Sequence, residues 1–192
     1  MQTINEDIKS GQYKKVYLLY GEESFLKQSY KKKLKEAVAG DDTMNYNYFE
    51  GKGLDVNELI SLSDTMPFFS DKRLIIIENS GFFKTSSEAL ADYLPMIPDT
   101  TCIVFVEDAV DKRNRLFKKV KELGHAAEMK RQDSAQLARW AGTILAQNGR
   151  KITGSTMNLF LERTGDDMEN IRMELEKLIS YTMGSDVVTT ED

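Results

Sequence analysis

Three continuous apolar runs mark the first part of the chain: "VYLLY" at 16–20, "LIII" at 74–77 and "CIVFV" at 102–106. Short runs without polar alternation predict strands covered on both faces. "NYNYFEG" at 45–51 alternates instead, with Tyr46 and Tyr48 on one side, and predicts a strand nearer a sheet edge. "AAEM" at 126–129 is a weaker fifth strand. Between the strands the spacing turns helical. Residues 24–38 set Phe25, Leu26, Tyr30, Leu34 and Val38 on one stripe opposite a lysine-rich face, and Gly40 follows as the stop. Further helices are predicted over 54–62 (Leu54, Leu59, Ile60, Leu62), 86–94 (Leu90, Leu94, then Pro95) and 112–123 (Leu116, Val120, Leu123, then Gly124). Strand alternating with helix predicts a parallel, wound α/β sheet.

Beyond about residue 132 the strand pattern stops. Asp133 or Ser134 caps a helix in which Leu137, Trp140, Ala141, Ile144 and Leu145 follow helical spacing. "NGRK" breaks it. A short helix over 155–163 turns Leu159 and Phe160 inward, and Gly165 ends it. The last helix begins at Asp166 with Glu169 as capping-box partner, and its stripe is Met168, Ile171, Leu175, Leu178 and Ile179. The expected organisation is an α/β domain over 1–130 and a small helical domain over 131–192. No internal repeat or low-complexity segment interrupts it.

Composition narrows the class. Apolar residues make up 41% and charged residues 30% of the 192, as in a soluble globular protein. The longest apolar runs are about a quarter of a membrane-spanning helix. "MQTINEDIKSG" has no apolar core and no small-residue cleavage site, so no signal peptide is expected. The one cysteine, Cys102, lies inside an apolar run, excludes an internal disulfide and suggests a cytoplasmic protein. With one histidine and one cysteine, a Cys/His zinc site is excluded. A net charge of −5 argues against nucleic-acid binding by the whole surface but leaves room for a local basic strip.

"KVYLLYGEESFLKQSYKKKLK" at 15–35 raises the question of chemistry. Strand, glycine and amphipathic helix form the setting of a phosphate loop. A working loop needs arched backbone N–H groups, a lysine on the terminal phosphates and a hydroxyl on magnesium. After Gly21 the chain supplies Glu22, Glu23 and Ser24. Carboxylates suit a helix N-terminus, by ~0.3–1 kcal/mol each, and would repel a bound triphosphate. An ordinary strand–turn–helix fits the same stretch. The acidic half of such a site is also incomplete: "RLIIIEN" at 73–79 ends in Glu78 and Asn79 rather than paired acids, and a lone Glu there reads as a solvated residue. His125 follows a helix-stopping glycine and reads as a surface residue. No nucleophile–base pair is evident, so neither an enzyme nor a bound cofactor or metal is expected.

"DTMPFFSDKR" at 64–73 is the candidate binding element. Pro67 stiffens the connection and presents Phe68 and Phe69, with Met66 beside them. Adjacent side chains on a turn seldom both enter one core, so an exposed aromatic anchor is one reading. Both rings packed under the sheet is the other. The basic stretches "KKKLK" at 31–35 and "DKRNRLFKK" at 111–119 read first as solvated helix faces, with Arg113 and Lys118 as weak, salt-sensitive phosphate contacts in the alternative. Aromatics do not interleave with them as in a single-strand stacking platform.

Four segments in order carry a resemblance: "VYLLYGEESFLKQ", "TMPFFSDKRLIIIEN" at 65–79, "IPDTTCIVFVEDAVDKRNRLFK" at 97–118 and "GDDMENIRMELEKLISY" at 165–181. Over nearly its whole length the chain resembles the N-terminal part of the delta subunit of the bacterial DNA polymerase III clamp loader. The resemblance implies an AAA+-like fold, a RecA-type parallel sheet domain followed by a helical lid, without an ATP site. ATP would be bound by partner subunits. It also implies that a third, all-helical collar domain, which assembles the loader ring, would follow "VVTTED", so the chain is expected to be a piece holding the first two domains. In delta subunits the positions matching Phe68 and Phe69 enter the hydrophobic pocket of the ring-shaped sliding clamp, with Met66 and Pro67 as flanking contacts. The family pattern has a large aliphatic or aromatic residue at the first position, and Phe68 is bulkier than the aliphatic. The implied partners are the clamp, the other loader subunits and, weakly, primer–template DNA, and the implied outcome is an opened ring. Two other classes remain open on the residues alone: a degenerate nucleotide-binding ATPase, and a nucleic-acid-binding module using a basic helix face.

Overall fold

The protein is described here by a computed structural model covering residues 2–85 and 87–192. By chain contacts it divides into two units, Met1–Lys130 and Arg131–Asp192.

In the first unit, the three apolar runs form strands β1 (Val16–Tyr20), β3 (Arg73–Glu78) and β4 (Thr101–Glu107), each buried along its whole length. The alternating segment is β2 (Tyr46–Glu50) and the weak fifth is β5 (His125–Glu128). All pair in parallel in the order β2-β3-β4-β1-β5. The continuous apolar runs therefore take the centre, and the alternating strand takes an edge. Successive strand residues face opposite sides. Val16, Leu18, Ile75, Ile77, Ile103 and Phe105 enter one core beneath helices α3 (Val56–Asp64), α4 (Glu88–Tyr93) and α5 (Arg115–Leu123). Tyr17, Leu19, Leu74, Ile76, Cys102 and Val104 enter a second core under helices α1 (Gln2–Ser10) and α2 (Ser24–Val38).

Helix starts differ from the expected ones because short polar side chains decide them. Asp55 accepts from the Asn57 N–H at 2.9 Å, so α3 begins after Leu54. Asn114 accepts from the Leu116 N–H at 2.8 Å, so α5 begins three residues later than the apolar spacing suggested. The expected start at Ser86 lies outside the described residues; α4 begins at Glu88 and passes into a 3-10 turn, Leu94–Met96. Helix α1 was not anticipated. Only Ile4 is buried along it, too little for an apolar stripe to show.

The second unit packs α6 (Ser134–Gln147), α7 (Gly154–Thr164) and α8 (Met168–Tyr181). Asp133 and Gln136 form a reciprocal capping box on α6. Three expectations are corrected here. The strand pattern does not stop at 132, because β6 (Lys151–Ile152) pairs in parallel with β7 (Val187–Val188). On α7 it is Met157 that is buried, while Leu159 and Phe160 are half-buried and line a cavity of about 350 Å³ against α8. The cap of α8 is Asp167, accepting from the Asn170 N–H at 2.8 Å, rather than Asp166 with Glu169. Asn170 also donates to the Thr164 carbonyl at 2.7 Å, which ties the start of α8 to the end of α7.

Gly124, between α5 and β5, is needed for space. A Cβ there would lie 1.8 Å from the Val16 carbonyl oxygen at the start of β1. Neither partner can yield, since both are backbone. Gly124→Ala is therefore expected to destabilise the protein by about 1–3 kcal/mol or more, as overpacking does. Thermal unfolding followed by circular dichroism checks it.

Candidate functional site

The connection from α3 to β3 is built by two buried polar side chains. Asn45, just before β2, donates from Nδ2 to the Phe68 carbonyl at 2.8 Å and accepts the Phe68 N–H on Oδ1 at 2.7 Å. The side chain thus pairs with both backbone groups of Phe68 as a neighbouring strand would. Asn45 is itself fixed by Asp42, whose Oδ2 accepts from Nδ2 at 2.7 Å and whose Oδ1 accepts the Asn45 N–H at 3.1 Å. Arg73, the first residue of β3, donates to the Thr65 carbonyl at 3.1 Å, the Met66 carbonyl at 3.4 Å and Asn47 Oδ1 at 3.0 Å. A planar guanidinium can satisfy three acceptors in different directions, which an ammonium on a flexible stem does less well.

Held this way, the turn carries its apolar side chains outward. Phe69 is 95% exposed, Met66 77% and Phe68 56%; Pro67 is half-buried. The two rings meet edge to face, with centroids 4.3 Å apart. Phe69 takes a left-handed backbone with φ of +50°. For a bulky residue that costs about 1–3 kcal/mol and persists only where the surroundings over-determine the shape. The Asn45 and Arg73 bonds on either side of Pro67 are that determination. Of the two readings left open on the residues, the packed one is thereby excluded: both rings reach solvent. Asn45 and Arg73 were missed in the sequence. "NYNYFEG" begins with the latch residue, but only the topology sets it beside Phe68.

The opposite ends of the strands occupy the place of a nucleotide site. Gly21 follows β1 with φ of +122°, and a Cβ there would lie 2.5 Å from the Met129 carbonyl oxygen. Its N–H donates to the Glu107 carbonyl at 3.2 Å instead of arching over a ligand. Glu23 caps α2, its carboxylate accepting from the Phe25 N–H at 3.2 Å. Lys27, on the first turns of α2, is buried and paired to Asp108 at 2.5 Å.

Glu78 is not the solvated residue expected of a lone acid. It is buried, accepting from Lys31 at 2.9 Å, Gln28 at 3.0 Å and the Tyr48 hydroxyl at 2.6 Å. Burial pushes its carboxyl up, and the bonds from Tyr48, Lys31 and Gln28 more than offset this, so it titrates below its ordinary value. Lys31 correspondingly leaves the solvated face assigned to "KKKLK". Glu107 goes the other way. Burial raises it despite bonds from the Ser80 hydroxyl and N–H. His125 is likewise no free surface residue: it lies 3.1 Å from Asp7, which also accepts the Tyr17 hydroxyl at 2.8 Å.

The basic stretch at 111–119 is largely neutralised internally. Arg113 is bidentate on Asp111 at 3.0 Å, Lys112 reaches Glu128 at 3.0 Å, and Arg115 pairs with Glu88 and Asp92. Lys118 is exposed. Among the described residues no cluster of His, Cys, Asp and Glu could hold a metal, and no helix is long and apolar enough to cross a membrane.

The strand order and the helix-flanked parallel sheet define an AAA+-type, RecA-like fold, here with a helix N-terminus capped by its own carboxylate. Solved structures agree on the fold. The Bacillus subtilis DNA clamp loader delta protein superposes with a TM-score of 0.79 at 20% identity, over 99% of this chain and 60% of that one. A variant of Thermotoga maritima RuvB does so with 0.54 at 13% identity, over 99% and 63%. The family is given by sequence: the model described as DNA polymerase III, delta subunit, matches residues 17–130, and the chain belongs to that family. Among curated relatives, DNA polymerase III subunit delta of Bacillus subtilis is 21% identical over 97% of this chain and 58% of its own length. The probable DNA polymerase III subunit delta of Aquifex aeolicus is 23% identical over 93% and 53%. The chain thus spans little more than half the length of these relatives.

Glu78 makes an internal test. Its depressed carboxyl means that the native state binds protons less readily than the unfolded chain. The contribution is present above the ordinary value of 4.5 and is lost as pH falls through the lower folded value. Glu78→Gln is expected to lower stability at neutral pH, with the gap to the parent closing on acidification below about pH 4.5. Urea unfolding at stepped pH checks it.

Proposed function

We propose that the chain is the clamp-docking part of a non-catalytic clamp-loader subunit, and that Phe68 and Phe69, flanked by Met66 and Pro67, enter an apolar pocket of the ring-shaped sliding clamp. The observation that carries this reading is the pair of exposed rings on a turn fixed by Asn45 and Arg73. Family membership and the name of the Bacillus subtilis relative support it. Each ring fully buried in such a pocket contributes roughly 1.5–3 kcal/mol.

Docking favours an open ring only through a difference in affinity between open and closed forms. Helix α3 leads directly into the turn, so the same contact can bear on the clamp's interface. No step in this requires a nucleotide on this chain. Glu23, Lys27 and Asp108 use the groups that phosphates would need, so ATP acts at partner subunits. Internal pairing of Arg113 and its neighbours leaves Lys118 as the freer cation for a weak DNA contact within the assembled loader.

Calorimetric titration with the purified sliding clamp, with and without ATP, tests the proposal. The chain is expected to bind with the same affinity in both. Phe68→Ala with Phe69→Ala is expected to weaken binding on the order of 100-fold. Parental affinity in that double variant would sink the docking reading, and binding that appears only with ATP would sink the nucleotide-free one.

A further inference from the structure

The exposed turn is held at two places, by Arg73 at its own end and by Asn45, which belongs to another segment. Asn45 makes two hydrogen bonds to Phe68, at 2.7 and 2.8 Å, and is almost wholly buried. Next to it in sequence, Met44 is 67% exposed. Its own N–H is tied to Asp42 Oδ1 at 2.9 Å. A long apolar side chain thus stands on a fixed backbone one residue from the latch. Thr65 to Arg73 and Asp42 to Asn45 form one connected surface element, although 23 residues separate Asn45 from Phe68.

Resting on the docking reading above, we infer that Asp42–Asn45 is the second half of the same docking surface. Asn45 is a positioning residue, acting through the shape of the turn, and Met44 adds an apolar contact to the same clamp. The physical reason is preorganisation. Without Asn45, the Phe68 peptide is free to exchange its partners for water, Phe69 is released from its left-handed backbone, and the rings must be ordered at the moment of binding. Methionine suits the flank of such an anchor because its unbranched thioether adapts to an irregular apolar wall. The occupant is the apolar recess that takes the phenylalanines, because the latch makes the two segments continuous.

Four proteins titrated against the sliding clamp test this: Asn45→Ala, Met44→Ala, Phe69→Ala, and Asn45→Ala combined with Phe69→Ala. Asn45→Ala is expected to weaken binding about tenfold and Met44→Ala about fivefold, as for truncated interface contacts. Hydrogen exchange at the Phe68 amide is expected to speed up in Asn45→Ala while amides of β3 and β4 keep their protection, which separates a loosened turn from a damaged sheet. In the Phe69→Ala background, Asn45→Ala is expected to cost clearly less than it does alone, since it acts through the rings. Parental affinity in either Asn45→Ala or Met44→Ala, or a full additive loss in the combined variant, overturns the two-segment surface. A failure of the Phe68, Phe69 double variant to lose affinity would instead remove the docking reading itself, so the two outcomes are distinct.

Discussion

Strand β3 carries a charge at each end and keeps both out of water, with Leu74, Ile75, Ile76 and Ile77 buried between them. A buried charge is tolerated only when it is paired or fully hydrogen-bonded. Each end therefore dictates the arrangement of its neighbours. At the start, Arg73 gathers the carbonyls of Thr65 and Met66 and the side chain of Asn47. At the finish, Glu78 gathers Lys31, Gln28 and Tyr48. The first set fixes a projecting turn, and the second ties helix α2 across the sheet edge. One central strand thus positions both the projecting turn and the junction of α2 with the edge strand β2.

The turn after β1 is likewise set by internal pairs. In a wound parallel sheet the ends of the strands at the topological switch point are the usual ligand crevice. Here three groups at that place have internal partners. Glu23 satisfies a free N–H of α2, Lys27 is committed to Asp108, and the Gly21 N–H is used by Glu107.

How much of this could be read from the chain depended on whether the signal was local. "VYLLY" and "CIVFV" announce buried central strands because both faces of each must be apolar, and no tertiary information is needed. Helix starts were less legible, since Asp55 and Asn114 decide them through single hydrogen bonds that override the apolar spacing. The pair β6 and β7 is two residues long on each side, below what periodicity can detect. In the candidate site, Pro67 and the adjacent phenylalanines were conspicuous. Asn45 was not, because a buried asparagine next to an alternating strand looks like any turn residue until β2 and β3 are placed side by side. Glu78 was misjudged for the same reason: its partners Lys31 and Tyr48 lie 47 and 30 residues away.

Under the proposed docking to a ring-shaped clamp, rigidity of the turn would have a consequence for ring opening that affinity alone would not provide. An anchor on a floppy loop would follow its pocket in either form of the ring, bind both equally and shift neither. The Asn45 and Arg73 bonds oppose that adjustment. They transmit to the anchor the orientation of β2 and β3, two paired strands of one sheet. On that proposal, an anchor with a fixed direction would fit one form of a curved partner better than another, and that difference in affinity would supply the free energy for opening. The left-handed backbone at Phe69 belongs to the same argument. Its cost is met in the folded chain before any partner arrives, so binding need not supply it.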